Sequence, residues 1–119
     1  MNDFEIILYK KEHGSCPVED FIDSLEPKMQ AKILFTIKLL KKNGNTLREP
    51  YTKPLNNGIF ELRVKQGSDI SRVLYFFVIG RKIVLTNGFV KKTEKTPQRE
   101  IDLAEKYRKL YLDQYGKEL

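Results

Sequence analysis

Residues 58–89 read GIFELRVKQGSDISRVLYFFVIGRKIVLTNGF and contain three segments rich in β-forming residues. These segments, residues 59–65, 72–79 and 82–89, are separated by short links that contain glycine. Links this short join neighbouring antiparallel strands, because a parallel crossover needs a dozen or more residues. The second and third segments are almost wholly apolar, as is typical of inner strands covered at least in part on both faces. The sequence therefore predicts an antiparallel meander.

The flanking sequence adds one strand and three helices to this meander. Pro17, Pro27 and Pro97 each stand where a first helical turn accepts proline, and Asn43-Gly44 marks a helix end. The predicted elements are a strand at 4–9, helices at 17–24, 27–42 and 97–115, and a loop at 45–57. The order β-α-α-β-β-β-α predicts an α+β domain whose helices pack on one face of the sheet.

The composition is that of one folded domain. The chain has 119 residues, of which 40% are hydrophobic and 32% charged, so we expect a single domain over residues 1–119. The longest apolar runs, at 73–79 and 83–85, are too short to span a membrane. The N-terminus MNDFEIILYK has an acidic residue where a signal peptide carries positive charge, which favours a cytoplasmic location.

Cysteine and histidine are too few for several kinds of site. The single cysteine, Cys16, excludes an internal disulfide, and one cysteine with one histidine, His13, cannot form the usual four-ligand zinc site. We therefore expect no metal and no cofactor.

Charge is distributed unevenly along the chain. The first 26 residues carry seven acidic residues against two lysines, a formal charge of −5, whereas the remainder carries +11. Ten basic residues against four acidic ones lie between Arg48 and Lys95. Such an excess favours a phosphate-rich partner, nucleic acid above all, although a basic surface that only confers solubility remains an alternative.

Two arginines of the meander are the strongest candidates for phosphate binding. Arg63 lies on the polar face of its strand and Arg72 begins the next, so antiparallel pairing can bring them together. The alternative is a salt bridge to Glu61 or another carboxylate. Lys91, Lys92 and Lys95 follow the third strand, where they either join the arginines or form a solvated run.

The chain resembles the HigB-like branch of the RelE/ParE toxin superfamily. The resemblance is carried by an ordered set of segments that covers nearly the whole chain: GSCPVEDFIDSL at 14–25, KPL at 53–55, GIFELR at 58–63, RVLYF at 72–76, GFVKKT at 88–93 and KTP at 95–97. It implies a RelE-like fold and the toxin of a type II toxin-antitoxin module that cleaves mRNA on the translating ribosome.

The resemblance also implies roles for particular residues. Arg63, Arg72, Lys91 and Lys92 take the catalytic positions, and the substrate-binding residues are Lys95, Tyr75, Lys53 and Asn87. The implied reaction is attack of the RNA 2′-hydroxyl on the adjacent phosphate, which needs proton transfer and charge stabilisation but no metal.

Three positions leave alternatives open. Relatives often carry histidine where this chain has Asn87, which cannot exchange a proton near neutral pH. Glu61 serves as a base only if its pKa is raised, and a salt bridge to Arg63 or Arg72 is the more ordinary interpretation. Tyr75 either stacks on a base of the substrate or packs within the sheet, and we favour packing.

The resemblance further implies partners and a rival function. The expected partners are mRNA on the ribosome and a HigA-like helix-turn-helix antitoxin, through which alone the chain would contact operator DNA; no membrane partner is expected. The rival is a ParE-like, non-enzymatic inhibitor of a DNA topoisomerase, and a plain RNA-binding module is a third hypothesis. Convergence of Arg63, Arg72, Lys91 and Lys92 favours the nuclease.

Overall fold

The strands and helices follow the predicted order with one addition. The computed structural model describes residues 3–116. The elements are β1 Glu5–Leu8, α1 Pro17–Asp23, α2 Pro27–Asn43, a 3₁₀ turn Gly44–Thr46, β2 Thr52–Pro54, β3 Phe60–Gln66, β4 Asp69–Val78, β5 Lys82–Val90 and α3 Gln98–Tyr115. The α+β class is confirmed. The short strand β2 lies within the segment predicted as a loop, where the sequence prediction was wrong.

The five strands form one mixed sheet in the order β1-β5-β4-β3-β2. Strands β3, β4 and β5 make the predicted antiparallel meander, and β2 pairs antiparallel with the outer edge of β3. Strand β1 pairs in parallel with β5, with Ile6 opposite Ile83. The chain between these two parallel strands carries α1, α2 and the rest of the sheet, so the crossover is long enough for parallel pairing.

The helices cover both faces of the sheet, which corrects the prediction of helices on one face. Helices α1 and α2 pack on one face over an apolar cluster that includes Val18, Ile33, Leu62, Val73 and Leu85. Helix α3 packs on the other face over a second cluster that includes Ile59, Leu74, Phe76, Val84 and Tyr107. Strands β4 and β5 are apolar on both faces, so each face must be covered for both sets of side chains to leave water.

Two glycines allow close approaches that set the position of the helices. Gly44 caps the C-terminus of α2 with a φ of 53°, and a side chain there would overlap the ring of Phe4. A side chain at Gly88 of β5 would overlap the ring of Phe21. The absence of a side chain at Gly88 therefore lets α1 lie directly against β5.

The helices of residues 3–116 are not of the membrane-spanning kind. None combines the length and the apolar character that a bilayer crossing requires.

Candidate functional site

The register of the meander brings the two candidate arginines together. Arg63 of β3 lies directly opposite Arg72 of β4. Directly opposed residues of an antiparallel pair project from the same face of the sheet, with their Cβ atoms about 5 Å apart. In the next row Glu61 lies opposite Leu74, which belongs to the cluster under α3. The arginines therefore share the α3 face with Glu61.

Glu61 is the anion that holds this pair of like charges together. Its Oε1 lies 3.2 Å from Nε of Arg72 and 3.6 Å from Nε of Arg63. Glu61 is only 2% exposed and Arg72 only 4%. A buried carboxylate and guanidinium tolerate loss of water only when they are paired. The ion pair considered from the sequence is thus present, and both arginines share it.

Arg72 retains hydrogen-bonding capacity despite its burial. Its Nη1 donates a hydrogen bond of 3.2 Å to the carbonyl of Ser71, but its Nε, although close to Glu61, donates none. Burial lowers the pKa of Arg72 from its ordinary value, Glu61 opposes that shift, and the charge of Arg63 adds to it. The guanidinium is therefore a buried cation that shares its one carboxylate partner with Arg63.

Lys91 is the third cation of this site. Its backbone N–H donates to the carbonyl of Ile70, 2.9 Å away, which continues the pairing of β5 with β4 and sets Lys91 beside the arginines. Desolvation, followed by the charges of Arg72 and Arg63, lowers the pKa of Lys91. We call Arg63, Arg72 and Lys91 the basic cluster. With Glu61, and with Glu94 whose charge also acts on Arg72 and Lys91, it carries three positive charges against two negative charges, and this net positive charge suits a phosphodiester anion.

The segment after β5 is tied to the basic cluster by one hydroxyl group. Thr96 donates a short hydrogen bond from Oγ1 to Oε2 of Glu61. Both oxygens of the Glu61 carboxylate are thus engaged, Oε1 by the arginines and Oε2 by Thr96. The segment that carries the candidate lysines is therefore held against the strands by the same carboxylate.

The other candidate lysines lie around this site with exposed side chains. Lys53 of β2 is opposite Glu61 and so shares the α3 face. Lys92 and Lys95 lie on the segment between β5 and α3. The structure thus buries Arg72 and leaves the side chain of Arg63 26% exposed. Lys53 lies on the same face, and Lys92 and Lys95 are exposed on the segment that Thr96 ties to Glu61.

Asn87 is engaged within the protein. It is 3% exposed, and its Nδ2 donates to Oε1 and to the carbonyl oxygen of Glu100, at 3.0 and 3.3 Å. Its Oδ1 accepts a 2.7 Å hydrogen bond from Thr86. Asn87 therefore anchors the first turn of α3 to β5, and the structure does not present it as a substrate-binding group.

Tyr75 lies on the opposite face of the sheet from the basic cluster. It is 1% exposed, its ring stacks on Phe60 at 5.5 Å between centroids, and its hydroxyl lies 2.5 Å from Oγ1 of Thr52. Burial raises the pKa of Tyr75 to about 12. Tyr75 therefore packs within the sheet, as favoured from the sequence, and the structure does not bring it to the basic cluster.

Sequence reasoning missed two residues of the site. Thr96 lies 35 positions from Glu61, and Glu100 lies 13 positions from Asn87, so neither contact has a signature in spacing. An acidic residue in the first turn of a predicted helix was the available signal for Glu100, since carboxylates are favoured there by the helix dipole. Thr96 offered no comparable signal.

Metal-ligating side chains are scattered. Within residues 3–116, no group of three or more His, Cys, Asp and Glu side chains is arranged to hold a metal ion. The one cysteine, Cys16, is buried and free.

Comparison with known families places this site in context. The family described as phage-derived protein Gp49-like (DUF891) matches residues 20–109, which include every residue of the basic cluster. The match spans most of the chain, and the chain therefore belongs to this family. The family is toxin-like and related to the RelE/HigB-type toxins. A search of curated proteins returned no significant match.

Proposed function

Starting from this membership of the Gp49-like family, we propose that the chain is the toxin of a type II toxin-antitoxin module and that it cleaves mRNA on the translating ribosome. The observation that carries the proposal is the basic cluster, in which Arg63, Arg72 and Lys91 meet around the buried carboxylate of Glu61. A HigB-like assignment within the toxin superfamily is part of the proposal. Burying an arginine that must share its one carboxylate with a second arginine is costly to a fold, so this arrangement supports an anionic substrate.

The proposed reaction is an internal transesterification of RNA. The 2′-oxygen attacks the adjacent phosphorus and loses its proton, the bond from phosphorus to the 5′-oxygen breaks, and that oxygen gains a proton. The products are a 2′,3′-cyclic phosphate and a 5′-hydroxyl. Arg63 and Arg72 hold the non-bridging oxygens through planar forks of N–H donors, which stabilise charge as it develops in the transition state.

The contacts within the site suggest how the other residues contribute to the reaction. Both carboxylate oxygens of Glu61 are engaged, so we assign to Glu61 the orientation of the arginines rather than proton transfer. Lys91 has a lowered pKa, which increases the fraction of neutral amine near neutral pH. A lysine tuned in this direction is suited to exchange a proton with the reacting oxygens. Lys92, Lys95 and Lys53 contribute charge that attracts the RNA backbone.

The proposed partners follow from the toxin role. A protein that stops translation must be held inactive in its host, and we propose a HigA-like helix-turn-helix antitoxin, encoded beside it, as the inhibitor. Operator DNA would be bound through the antitoxin. Co-expression of the neighbouring open reading frame should restore growth, and its product should co-purify with this chain. If no adjacent product rescues growth or binds, the toxin-antitoxin proposal is wrong.

The decisive test is cleavage mapping in a purified translation reaction. We expect new RNA 5′ ends within the translated message, with 2′,3′-cyclic phosphate on the upstream fragment. Arg63→Ala should abolish most of the cleavage, and the matched variant Arg99→Ala, at a largely exposed arginine of α3, should retain it.

Two other results would contradict the nuclease. Inhibition of DNA supercoiling in a parallel assay, without RNA cleavage, would indicate the topoisomerase inhibitor. RNA binding without turnover would indicate a binding module. Fragments with a 5′-phosphate and 3′-hydroxyl would exclude the proposed transesterification.

A further inference from the structure

Helix α2 has a strongly basic outer face. Its 17 residues include five lysines and no acidic residue. All five lysines are exposed, and within residues 3–116 none of them has a carboxylate in ion-pair distance: Lys28, Lys32, Lys38, Lys41 and Lys42. Surface helices more commonly mix charges of both signs, because oppositely charged neighbours stabilise the helix. This face is therefore electrostatically unbalanced within the protein.

Two large apolar side chains stand exposed among these lysines. Leu34 is 52% exposed and Phe35 is 55% exposed. Helical spacing places Lys38 one turn from both, and Lys32 one turn from Phe35. The helix already has a separate core-facing stripe, formed by Met29, Ile33, Thr36 and Leu40. Leu34 and Phe35 are thus not required for packing of α2 on the sheet.

This surface is separate from the basic cluster. Helix α2 packs over the cluster that includes Leu62, Val73 and Tyr75, whereas Glu61, Arg63 and Arg72 lie on the opposite face of the sheet, the face that α3 packs on. A single phosphodiester cannot contact both. Any occupant of the outer face of α2 is therefore distinct from the scissile phosphate.

We propose that the outer face of α2 is the docking surface for the antitoxin, through a segment that presents carboxylates around an apolar anchor. The inference rests on the proposed function and adds to it the surface that the inhibitor covers. The lysines are complementary to an acidic segment, and Leu34 and Phe35 supply the apolar centre that slows dissociation. An RNA backbone would use the lysines alone, since an exposed leucine gains nothing from phosphate. The apolar pair is the reason we commit to a protein partner.

The test measures binding of the neighbouring open reading frame's product to full-length variants of this chain, with affinity from calorimetry and association rates from surface plasmon resonance. Phe35→Asp should raise the dissociation constant by at least about tenfold, because it removes the apolar anchor and adds repulsion of an acidic partner. Lys38→Glu/Lys42→Glu should slow association and weaken its dependence on salt. Matched variants on α3, Leu110→Asp and Lys106→Glu, alter an exposed leucine and an exposed lysine and should bind as the wild type does.

Each alternative result overturns the inference in a distinguishable way. If the neighbouring product binds wild type and the α2 variants equally, the antitoxin docks elsewhere and the proposed function still holds. If it binds no form of the chain, the proposed function loses its partner and the docking surface is wrong with it. If the α2 variants bind the antitoxin normally but no longer cleave on ribosomes, the face docks RNA. If wild type alone forms a dimer that Phe35→Asp dissociates, the occupant is a second copy.

Discussion

The two faces of the sheet are packed by different means. Under α1 and α2 the buried residues are mostly aliphatic and aromatic, and the hydroxyls of Tyr75 and Thr52 satisfy each other. The face that α3 covers has similar apolar packing. Near the N-terminus of α3, however, it also holds a buried carboxylate and two arginines. Buried ion pairs are often no more stabilising than apolar residues of similar size. The α3 face thus carries Glu61, Arg63 and Arg72, which packing alone does not require. We therefore infer that they serve a chemical role.

The largest expected effect comes from Arg72→Ala. Loss of a transition-state contact should reduce RNA cleavage about 100-fold or more. The same change leaves Glu61 with a weaker counterion in a buried position, so the free energy of unfolding should fall by about 3 kcal/mol. Cleavage rates and urea denaturation measure the two effects.

A double variant separates the two effects of this change. Glu61→Gln/Arg72→Ala removes both charges and should recover part of the lost stability while cleavage stays low. If cleavage returns together with stability, Arg72 acts as a structural residue, and the two faces of the sheet differ less than we infer.

Arg63→Ala should affect activity with little change in stability. Its side chain is 26% exposed, and Glu61 would keep its contacts with Arg72 and Thr96. We expect cleavage to fall at least about tenfold and the free energy of unfolding to change by less than about 1 kcal/mol. Cleavage assays and urea melts of the same preparation check this expectation. A stability loss as large as that of Arg72→Ala would contradict the difference in burial between the arginines.

Tyr75→Phe tests the opposite face. The variant keeps the ring packed on Phe60 but removes the hydroxyl that meets Thr52, which should lower the free energy of unfolding by about 1 kcal/mol. Cleavage should be unchanged, because Tyr75 lies on the face away from the basic cluster. A cleavage defect in a stably folded Tyr75→Phe protein would show that both faces serve the reaction.

Lys91→Met gives the smallest expected effect on stability, and its sign depends on pH. The pKa of Lys91 is lowered in the folded state, so near neutral pH its proton is bound less favourably in the folded than in the unfolded chain. As pH rises from the lowered pKa towards the ordinary value of 10.5, the folded state loses the proton first, and stability rises. Lys91→Met should therefore be slightly more stable than wild type at about pH 7, and the advantage should shrink by about pH 10. Urea denaturation at both pH values checks this; an advantage that grows with pH would contradict the lowered pKa.

Local pattern was enough to predict most of the secondary structure. Alternation in β3, apolar runs in β4 and β5, and proline at the helix starts act over a few residues, so the elements and the meander follow from neighbouring positions alone. The sequence placed Arg63 and Arg72 on neighbouring strands but left their register open, and the structure sets them directly opposite each other. The short edge strand β2 was missed because three residues with a proline give almost no pattern.

Contacts between distant segments were beyond the reach of local pattern. The sequence identified Arg63, Arg72 and Lys91 as candidate phosphate-binding residues, and it named Glu61 as a partner for the arginines. It did not predict that α3 covers its own face, that Thr96 completes the shell of Glu61, or that Asn87 is engaged by Glu100. Composition and periodicity act along the chain, whereas these contacts depend on which surfaces remain to be buried once the sheet has formed. The register of β3 with β4 therefore brought Arg63 and Arg72 together, and strand alternation left Tyr75 on the other face, where α2 and its lysines also lie.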